Sequence, residues 1–149
     1  MEPQIQQQLI DTGKAKLVYN HRIIVGASPN GESFRAAEAS ECAGDQGKFW
    51  QYHDILYQNQ TGENVGAYAD VKLKGFAQQA GLDMTTFNAC FDGRKHQATV
   101  EASDALGKSW NIYATPTIVI TAGNQRAQIK NSLDISEIVQ TVNQFSGAQ

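Results

Sequence analysis

Cysteine is scarce in this chain, and its scarcity excludes several kinds of redox and metal protein. The 149 residues contain two cysteines, Cys42 and Cys90, which lie 48 positions apart. This spacing rules out a Cys-x-x-Cys motif, and two cysteines are too few for a closed structural zinc site. No two of the three histidines have the spacing of metal ligands, so we expect neither a metal nor a cofactor. The two cysteines form either a disulfide or two buried thiols.

An excess of positive charge and long apolar runs are also missing. The net charge of −3 and the pI near 5.5 provide no basic surface for nucleic acid or for an anionic membrane. No apolar run approaches the roughly 20 residues of a membrane-spanning helix. Residues 1–8 have neither the basic nor the apolar region of a signal peptide. We therefore expect no nucleic acid, no membrane partner and no export signal.

The chain does contain strand-like and helical patterns in the proportions of an ordinary globular domain. Hydrophobic residues make up 41% and charged residues 18% of the sequence, and the length suits one domain with its own core. The patterns predict helices over 3–12, within 33–106 and after Asp134, and strands over 15–20, 117–121 and 127–129. Gly123-Asn124 predicts a hairpin turn between the last two strands. This order indicates an α/β fold with a small mixed sheet and an inserted helical subdomain.

Pro116 lies at the entry to the most clearly strand-like run of the sequence. Thr117 to Thr121 is β-branched and apolar and ends at the turn residues Ala122-Gly123-Asn124. Proline has no N–H for a ladder, so it belongs at the first position of a strand or in the turn before it, where a cis bond costs less than at any other residue. The alternative is an ordinary trans proline, because only about one X-Pro bond in twenty is cis in folded proteins.

Two stretches of the chain resemble a known family. Residues 34–54, FRAAEASECAGDQGKFWQYHD, resemble the helical-insertion signature of DsbA-like thioredoxin-fold proteins, and Thr115-Pro116-Thr117 before an apolar strand is similar to their cis-proline loop. The resemblance extends over residues 1–149 and implies one thioredoxin-like, DsbA-type domain with a helical insertion over 33–107. It also implies a protein-disulfide oxidoreductase that works outside the cytoplasm, in the periplasm, the cell envelope or a secreted form.

The same resemblance assigns roles to two groups of residues. The loop of Ala114, Thr115 and a cis Pro116 is expected to bind substrate, with the Thr115 backbone pairing with an extended peptide or protein. Some relatives join the positions of Cys42 and Cys90 by a disulfide, which would restrict the unfolded chain by about 4 kcal/mol. Because both cysteines lie on apolar helical faces and not at a helix N-terminus with basic neighbours, a structural disulfide is favoured over free thiols and over a redox pair.

The chain departs from the family at the residues that carry its chemistry. Family members have a Cys-x-x-Cys at the start of their first long helix, after a central strand, whereas this sequence begins inside that helix. The chain is therefore interpreted as truncated at its N-terminus, with no catalytic residue and no dithiol exchange of its own. The missing strand would lie between 15–20 and 117–121 and would leave both with open edges. We expect either a rearranged sheet or a homo-oligomer formed by strand exchange.

Three functions are compatible with these residues. The first is a truncated, inactive oxidoreductase. The second is a non-catalytic module that binds a peptide at the Pro116 loop or at open strand edges. The third is an enzyme that uses Cys42 and Cys90 as its redox pair. The aromatic residues at helical spacing are expected to pack in the core: Trp50, Tyr52, His53 and Tyr57. The basic residues of the later helices are expected to form a solvated face: Lys72, Lys74, Arg94 and Lys95.

Overall fold

The computed structural model describes residues 2–26, 28–130 and 134–147, which fold into helices and one small sheet. The chain divides into two units. Met1–Tyr19 and Ala114–Gln149 form the first, here called the hairpin unit, and Asn20–Tyr113 forms the second, here called the helical unit. Among the described residues, no helix combines the length and the apolar character needed to cross a membrane.

The secondary structure follows the order predicted for the helices and the hairpin. The described elements are, in chain order, α1 (Glu2–Ile5, continued by a wider π-helical segment over Gln6–Ile10), α2 (Glu32–Gly44), α3 (Phe49–Gln58), α4 (Asp70–Gln79), α5 (Met84–Asp92), α6 (Gln97–Ser109), β1 (Val119–Ala122), β2 (Gln125–Gln128) and α7 (Ile135–Ser146). Two predicted helix starts are confirmed by their caps. Asp83 accepts a hydrogen bond from the Thr86 amide at 2.7 Å, and Asp134 accepts one from the Ser136 amide at 2.9 Å.

The helical unit has its main core where α2, α3, α4 and α5 pack together. Its buried members are Ala36, Ala39, Cys42, Ala43, Tyr52, Leu56, Leu73, Ala77, Leu82, Phe87, Cys90 and Phe91. Tyr52 is fully buried and donates its hydroxyl to the Leu73 carbonyl at 2.9 Å, so its predicted place in the core is confirmed. The same prediction is wrong for Trp50 and Tyr57, which are 41% and 58% exposed. They lie outside the face that α3 turns toward the core and instead contact the ring of His53.

Arg22 ties the two ends of the helical unit together. Its Nε donates to the Ile112 carbonyl at 2.8 Å, and its Nη1 donates to the Ile23 carbonyl at 3.0 Å and to the Asp104 carboxylate on α6. Asp104 also accepts a hydrogen bond from the Ile23 amide at 2.9 Å. The Arg22 side chain approaches α6 closely because Gly107 has no side chain there: a Cβ at that position would lie 2.6 Å from the Arg22 Cδ.

The hairpin unit is built on the antiparallel pair of β1 and β2. The ladder pairs Val119 with Gln128 and Ala122 with Gln125, and Gly123 in the predicted turn has a φ of +54°. The core of the unit contains Leu9 together with Ile129, Ile138 and Val142. Helix α1 and its π-helical segment therefore share one apolar core with the hairpin and α7.

The predicted strand over 15–20 is wrong, since residues 14–24 form no helix or strand. The start of this segment is hydrogen-bonded to the preceding π-helical segment, because the amides of Lys14 and Ala15 both donate to the Leu9 carbonyl. Leu17 and Val18 are 40% and 59% exposed. An alternating pattern becomes a strand only where a neighbouring strand supplies hydrogen bonds, and in the described residues β1 and β2 pair with each other alone. The sheet is therefore an antiparallel pair, smaller than the mixed sheet that the sequence predicts.

Candidate functional site

The Pro116 loop belongs to the hairpin unit and leads directly into β1. The Thr115–Pro116 peptide bond is cis, and Ala114, Thr115 and Pro116 are all exposed. The Thr117 hydroxyl donates to the Ala114 carbonyl at 2.7 Å and closes the loop on itself. The structure therefore places the three residues of the expected binding loop side by side on the surface, at the entry to a strand.

Cys42 and Cys90 lie in the helical unit and are joined by a disulfide. Cys42 is in α2 and Cys90 is in α5, and they are 1% and 7% exposed. The disulfide is part of the main core of the unit. No cysteine of the chain is free. This arrangement agrees with the structural disulfide that the resemblance implies.

Three polar side chains lie beside the disulfide. The Asp45 carboxylate, just past the end of α2, accepts a hydrogen bond from Lys95 Nζ at 2.8 Å, and its Oδ2 lies 2.8 Å from His96 Nε2 and 3.6 Å from Cys90 Sγ. Burial alone would raise the pKa of the Asp45 carboxyl, but the hydrogen bonds from Lys95 and His96 outweigh it and hold the pKa below its usual value. Sequence reasoning missed this cluster. The disulfide therefore has a histidine within 4.8 Å of its sulfurs, and a lysine bound to the carboxylate next to it.

The helical unit also contains a buried ion network that the sequence did not lead us to expect. Glu38 is 1% exposed and accepts hydrogen bonds from Arg35 Nη1 at 2.7 Å and from Arg94 Nε at 2.8 Å. Arg35 also pairs with Asp70 through both carboxylate oxygens, and its guanidinium lies 3.7 Å from the centre of the Phe91 ring. The expectation that Arg94 belongs to a solvated face is therefore wrong, because its charge is bound to a buried carboxylate.

The network changes the protonation equilibrium of Arg35 but supplies no reactive group. Burial alone would lower the pKa of Arg35, and the hydrogen bonds and charges of Asp70 and Glu38 more than offset it, so its pKa lies above the usual value. Arg35 therefore remains charged and can act neither as a base nor as a nucleophile. The network's role is to hold α2 against the segment between α5 and α6.

Comparison with known proteins identifies the family. The family model described as thioredoxin matches residues 1–143. The chain belongs to the thioredoxin family. A crystal structure of BdbD from Bacillus subtilis, in its oxidised form, is similar to this chain with a TM-score of 0.77 and 27% identity, covering 96% of this chain and 75% of that one. The predicted DsbA-like, thioredoxin-type α/β fold is confirmed.

Curated relatives extend the comparison to longer proteins. Disulfide bond formation protein D of Bacillus subtilis is 31% identical over 152 residues, which cover 94% of this chain and 61% of the relative. The Na(+)/H(+) antiporter NhaA 1 of Salinispora arenicola is 31% identical over 120 residues, which cover 80% of this chain and 17% of the antiporter. This chain thus spans only part of the length of each. The likeness to a disulfide bond formation protein supports the predicted family of thiol-disulfide oxidoreductases.

Proposed function

We propose that this chain supplies the helical unit and the substrate-binding loop of a DsbA-type protein-disulfide oxidoreductase, and that it performs no dithiol exchange by itself. The observation that carries this proposal is the state of its cysteines. Both are buried and bound to each other across two helices. To oxidise a reduced substrate, a protein disulfide must be accessible to the attacking thiolate of that substrate, whereas the Cys42–Cys90 disulfide lies in the main core of the helical unit.

The loop of Ala114, Thr115 and Pro116 is the proposed contact for an extended peptide or protein substrate. All three residues are exposed, and they precede a strand whose direction a bound peptide could follow by backbone hydrogen bonding. A peptide bound in this way would be recognised chiefly through its main chain, so the loop would accept many sequences. By family resemblance, the proposed place of action is outside the cytoplasm.

The test is thiol-disulfide exchange on a reduced, fluorogenic peptide that becomes a disulfide when oxidised. The wild type would be compared with Cys42→Ser, with the Cys42→Ser/Cys90→Ser double variant, and with a Cys-x-x-Cys oxidoreductase as positive control. We expect no rate above buffer in the wild type or in either variant. Oxidation of the peptide by the wild type that disappears in the double variant would overturn the proposal, because Cys42 and Cys90 would then be a working redox pair.

A second candidate function is peptide binding without catalysis. The exposure of the Pro116 loop and of the apolar residues Leu17 and Val18 favours it, because both offer surface that a strand-like ligand would cover. A labelled, cysteine-free extended peptide would be titrated and followed by fluorescence anisotropy. Thr115→Pro removes the backbone N–H that such a peptide would need, whereas the matched control Thr115→Ala retains it. Binding lost only in Thr115→Pro would support this function, and binding unaffected by either change would contradict it.

The same exposed segment supports a homo-oligomer formed by strand exchange. Leu17 and Val18 would be covered if residues 15–20 added to a sheet of a second copy. Sedimentation velocity over a range of concentrations would then show dimers in the wild type and monomers in Val18→Lys. A wild type that remains monomeric at every concentration would exclude this mode of association.

A further inference from the structure

The disulfide and one neighbouring histidine bring together three side chains of the types that bind zinc. One ligand atom from each of Cys42, Cys90 and His96 lies within 4.8 Å of the other two. The two cysteines are buried, and the His96 side chain is 14% exposed. Two sulfurs and an imidazole nitrogen are the ligands that zinc prefers in proteins.

Breaking the disulfide would allow these atoms to take the separation found in a zinc site. Zinc binds sulfur at about 2.3 Å and histidine nitrogen at about 2.0–2.1 Å in tetrahedral geometry, which places neighbouring ligand atoms about 3.5–3.8 Å apart. The nitrogen and sulfur atoms of the cluster, all within 4.8 Å, need shifts of about an ångström once the sulfurs are no longer bonded. Such shifts lie within the reach of side-chain rotation.

Asp45 lies next to two of these side chains. Its Oδ2 lies 3.6 Å from Cys90 Sγ and is hydrogen-bonded to His96 Nε2 at 2.8 Å, so it holds the imidazole beside the two sulfurs. Lys95 Nζ, 2.8 Å from the same oxygen, is positioned to balance the negative charge that two thiolates and one carboxylate leave around a divalent ion.

We propose that the reduced chain binds one zinc ion through Cys42, Cys90 and His96, with a water molecule in the fourth position, and that formation of the disulfide abolishes this site. A phosphine attacks one sulfur of the Cys42–Cys90 bond and supplies two electrons, the bond breaks, water gives one proton to each sulfur, and the phosphine leaves as its oxide with the oxygen of that water. Zinc then replaces the two thiol protons, which pass to solvent. Hydrogen peroxide, reduced to two molecules of water, takes two electrons from the sulfurs, and the disulfide that forms again releases the ion.

The consequence is that the helical unit keeps one cross-link in either redox state. The disulfide joins α2 to α5, whereas the zinc ion would join α2, α5 and the start of α6, because His96 immediately precedes that helix. Folding free energy lost when the disulfide is reduced would be recovered as metal-binding free energy.

The test uses the full chain reduced with a phosphine that binds zinc weakly, in parallel with the oxidised chain. Cobalt(II) serves as a spectroscopic probe, and zinc affinity is measured by competition with a chromophoric chelator. The reduced chain is expected to take up one ion, with a thiolate-to-cobalt charge-transfer band and the visible bands of a tetrahedral site. The oxidised chain is expected to show neither. No uptake by the reduced chain, or equal uptake by the oxidised chain, would overturn the proposal.

The matched variants are His96→Ala and His53→Ala, which each remove one histidine from the same unit. His96→Ala should weaken zinc binding by more than about tenfold, because even the loss of a group that only orients a ligand costs about 10–100-fold, and His53→Ala should leave it unchanged. Circular dichroism covers the case in which the reduced chain unfolds without metal. Zinc that restores helix in the wild type and in His53→Ala, but not in His96→Ala, would support the site. Zinc binding that is equal in the two variants would refute it.

Discussion

Two glycines in helices of the same unit are expected to respond in opposite ways to the same substitution. A Cβ added at Gly107 would lie 2.6 Å from the Arg22 Cδ, whereas one added at Gly75 has no heavy atom within 4 Å. Carbon atoms in contact are normally about 3.5–4.0 Å apart. Arg22 would therefore have to move by about an ångström, although hydrogen bonds to Ile112 and Asp104 hold it in place.

The magnitude follows from two opposing effects. Replacing glycine by alanine within a helix favours folding by up to about 1 kcal/mol, and we expect about 0.5–1 kcal/mol of added stability for Gly75→Ala. At Gly107 the same gain is opposed by overpacking, which costs about 1–3 kcal/mol, and by weakening of charge-assisted hydrogen bonds of Arg22, worth about 1.5–3 kcal/mol each. Gly107→Ala should therefore lower the free energy of unfolding by about 1–2 kcal/mol.

Urea unfolding followed by far-ultraviolet circular dichroism measures both effects on one scale. With a slope of about 2 kcal/mol per molar urea, the midpoint should fall by roughly 0.5–1 M for Gly107→Ala and rise by a few tenths of a molar for Gly75→Ala. Combining each change with Arg22→Ala completes a double-mutant cycle, in which the penalty at Gly107 should disappear while the gain at Gly75 persists. A Gly107→Ala protein as stable as Gly75→Ala would refute the argument.

Three other changes test the interior of the helical unit. Glu38→Gln leaves two arginines facing a neutral side chain, and removing one partner of a buried ion pair typically costs about 3–5 kcal/mol. We therefore expect the free energy of unfolding in urea at neutral pH to fall by about 3 kcal/mol. The exposed control Glu63→Gln should leave it unchanged. Replacing both Cys42 and Cys90 by alanine should lower the free energy of unfolding by about 4 kcal/mol, which is the loop-closure entropy for a sequence separation of 48. A decrease below about 1 kcal/mol would show that the disulfide does not stabilise the fold. Burial would raise the pKa of the Asp104 carboxyl, but hydrogen bonds from basic side chains and a backbone amide outweigh it and hold the pKa below its usual value. Its contribution to stability is therefore complete above about pH 4 and lost as the pH falls through the lowered pKa, so unfolding measured from pH 5 to pH 2 should show a steeper loss in the wild type than in Asp104→Asn.

Local patterns in the sequence predicted correctly those features that depend only on a short stretch of residues. Asp83 and Asp134 were predicted as helix caps, and both accept amide hydrogen bonds from the first turn of their helices. The Gly123-Asn124 turn likewise lies between β1 and β2 as predicted. A helix cap or a tight turn depends on residues within a few positions of one another, so it can be predicted from neighbouring residues in the sequence.

The strand predicted over 15–20 shows where local patterns fail. The alternation of Ala15, Leu17 and Tyr19 is present, but a strand also requires a partner, and the partner is a property of the whole fold. The same limit applies to Arg94, which was predicted to face solvent. In the fold its Nε lies 2.8 Å from Oε1 of the buried Glu38. Fifty-six positions separate these two residues, and no periodicity within one helix reports such a pair.

For the same reason, the sequence predicted the residues of one candidate site and not those of the other. The Pro116 loop is contiguous in sequence, so its three residues could be named together. The surroundings of the Cys42–Cys90 disulfide could not, because Asp45 and His96 are 51 positions apart and meet only in the folded unit. The expectation of no metal ligands rested on spacing along the chain, which contains no information about such a meeting.

The hydrogen bond between Arg22 and Ile112 has a consequence for how this protein could have been assembled. Because the Arg22 side chain near the entry of the helical unit donates to the Ile112 carbonyl near its exit at 2.8 Å, the two ends of Asn20–Tyr113 lie within the length of one arginine side chain and one hydrogen bond, a span that an ordinary loop of a host protein could accept. Acquiring it costs the host almost no additional chain-closure entropy, since that cost grows only slowly with length. The compact unit Asn20–Tyr113 is therefore expected to tolerate circular permutation or transfer into a host loop.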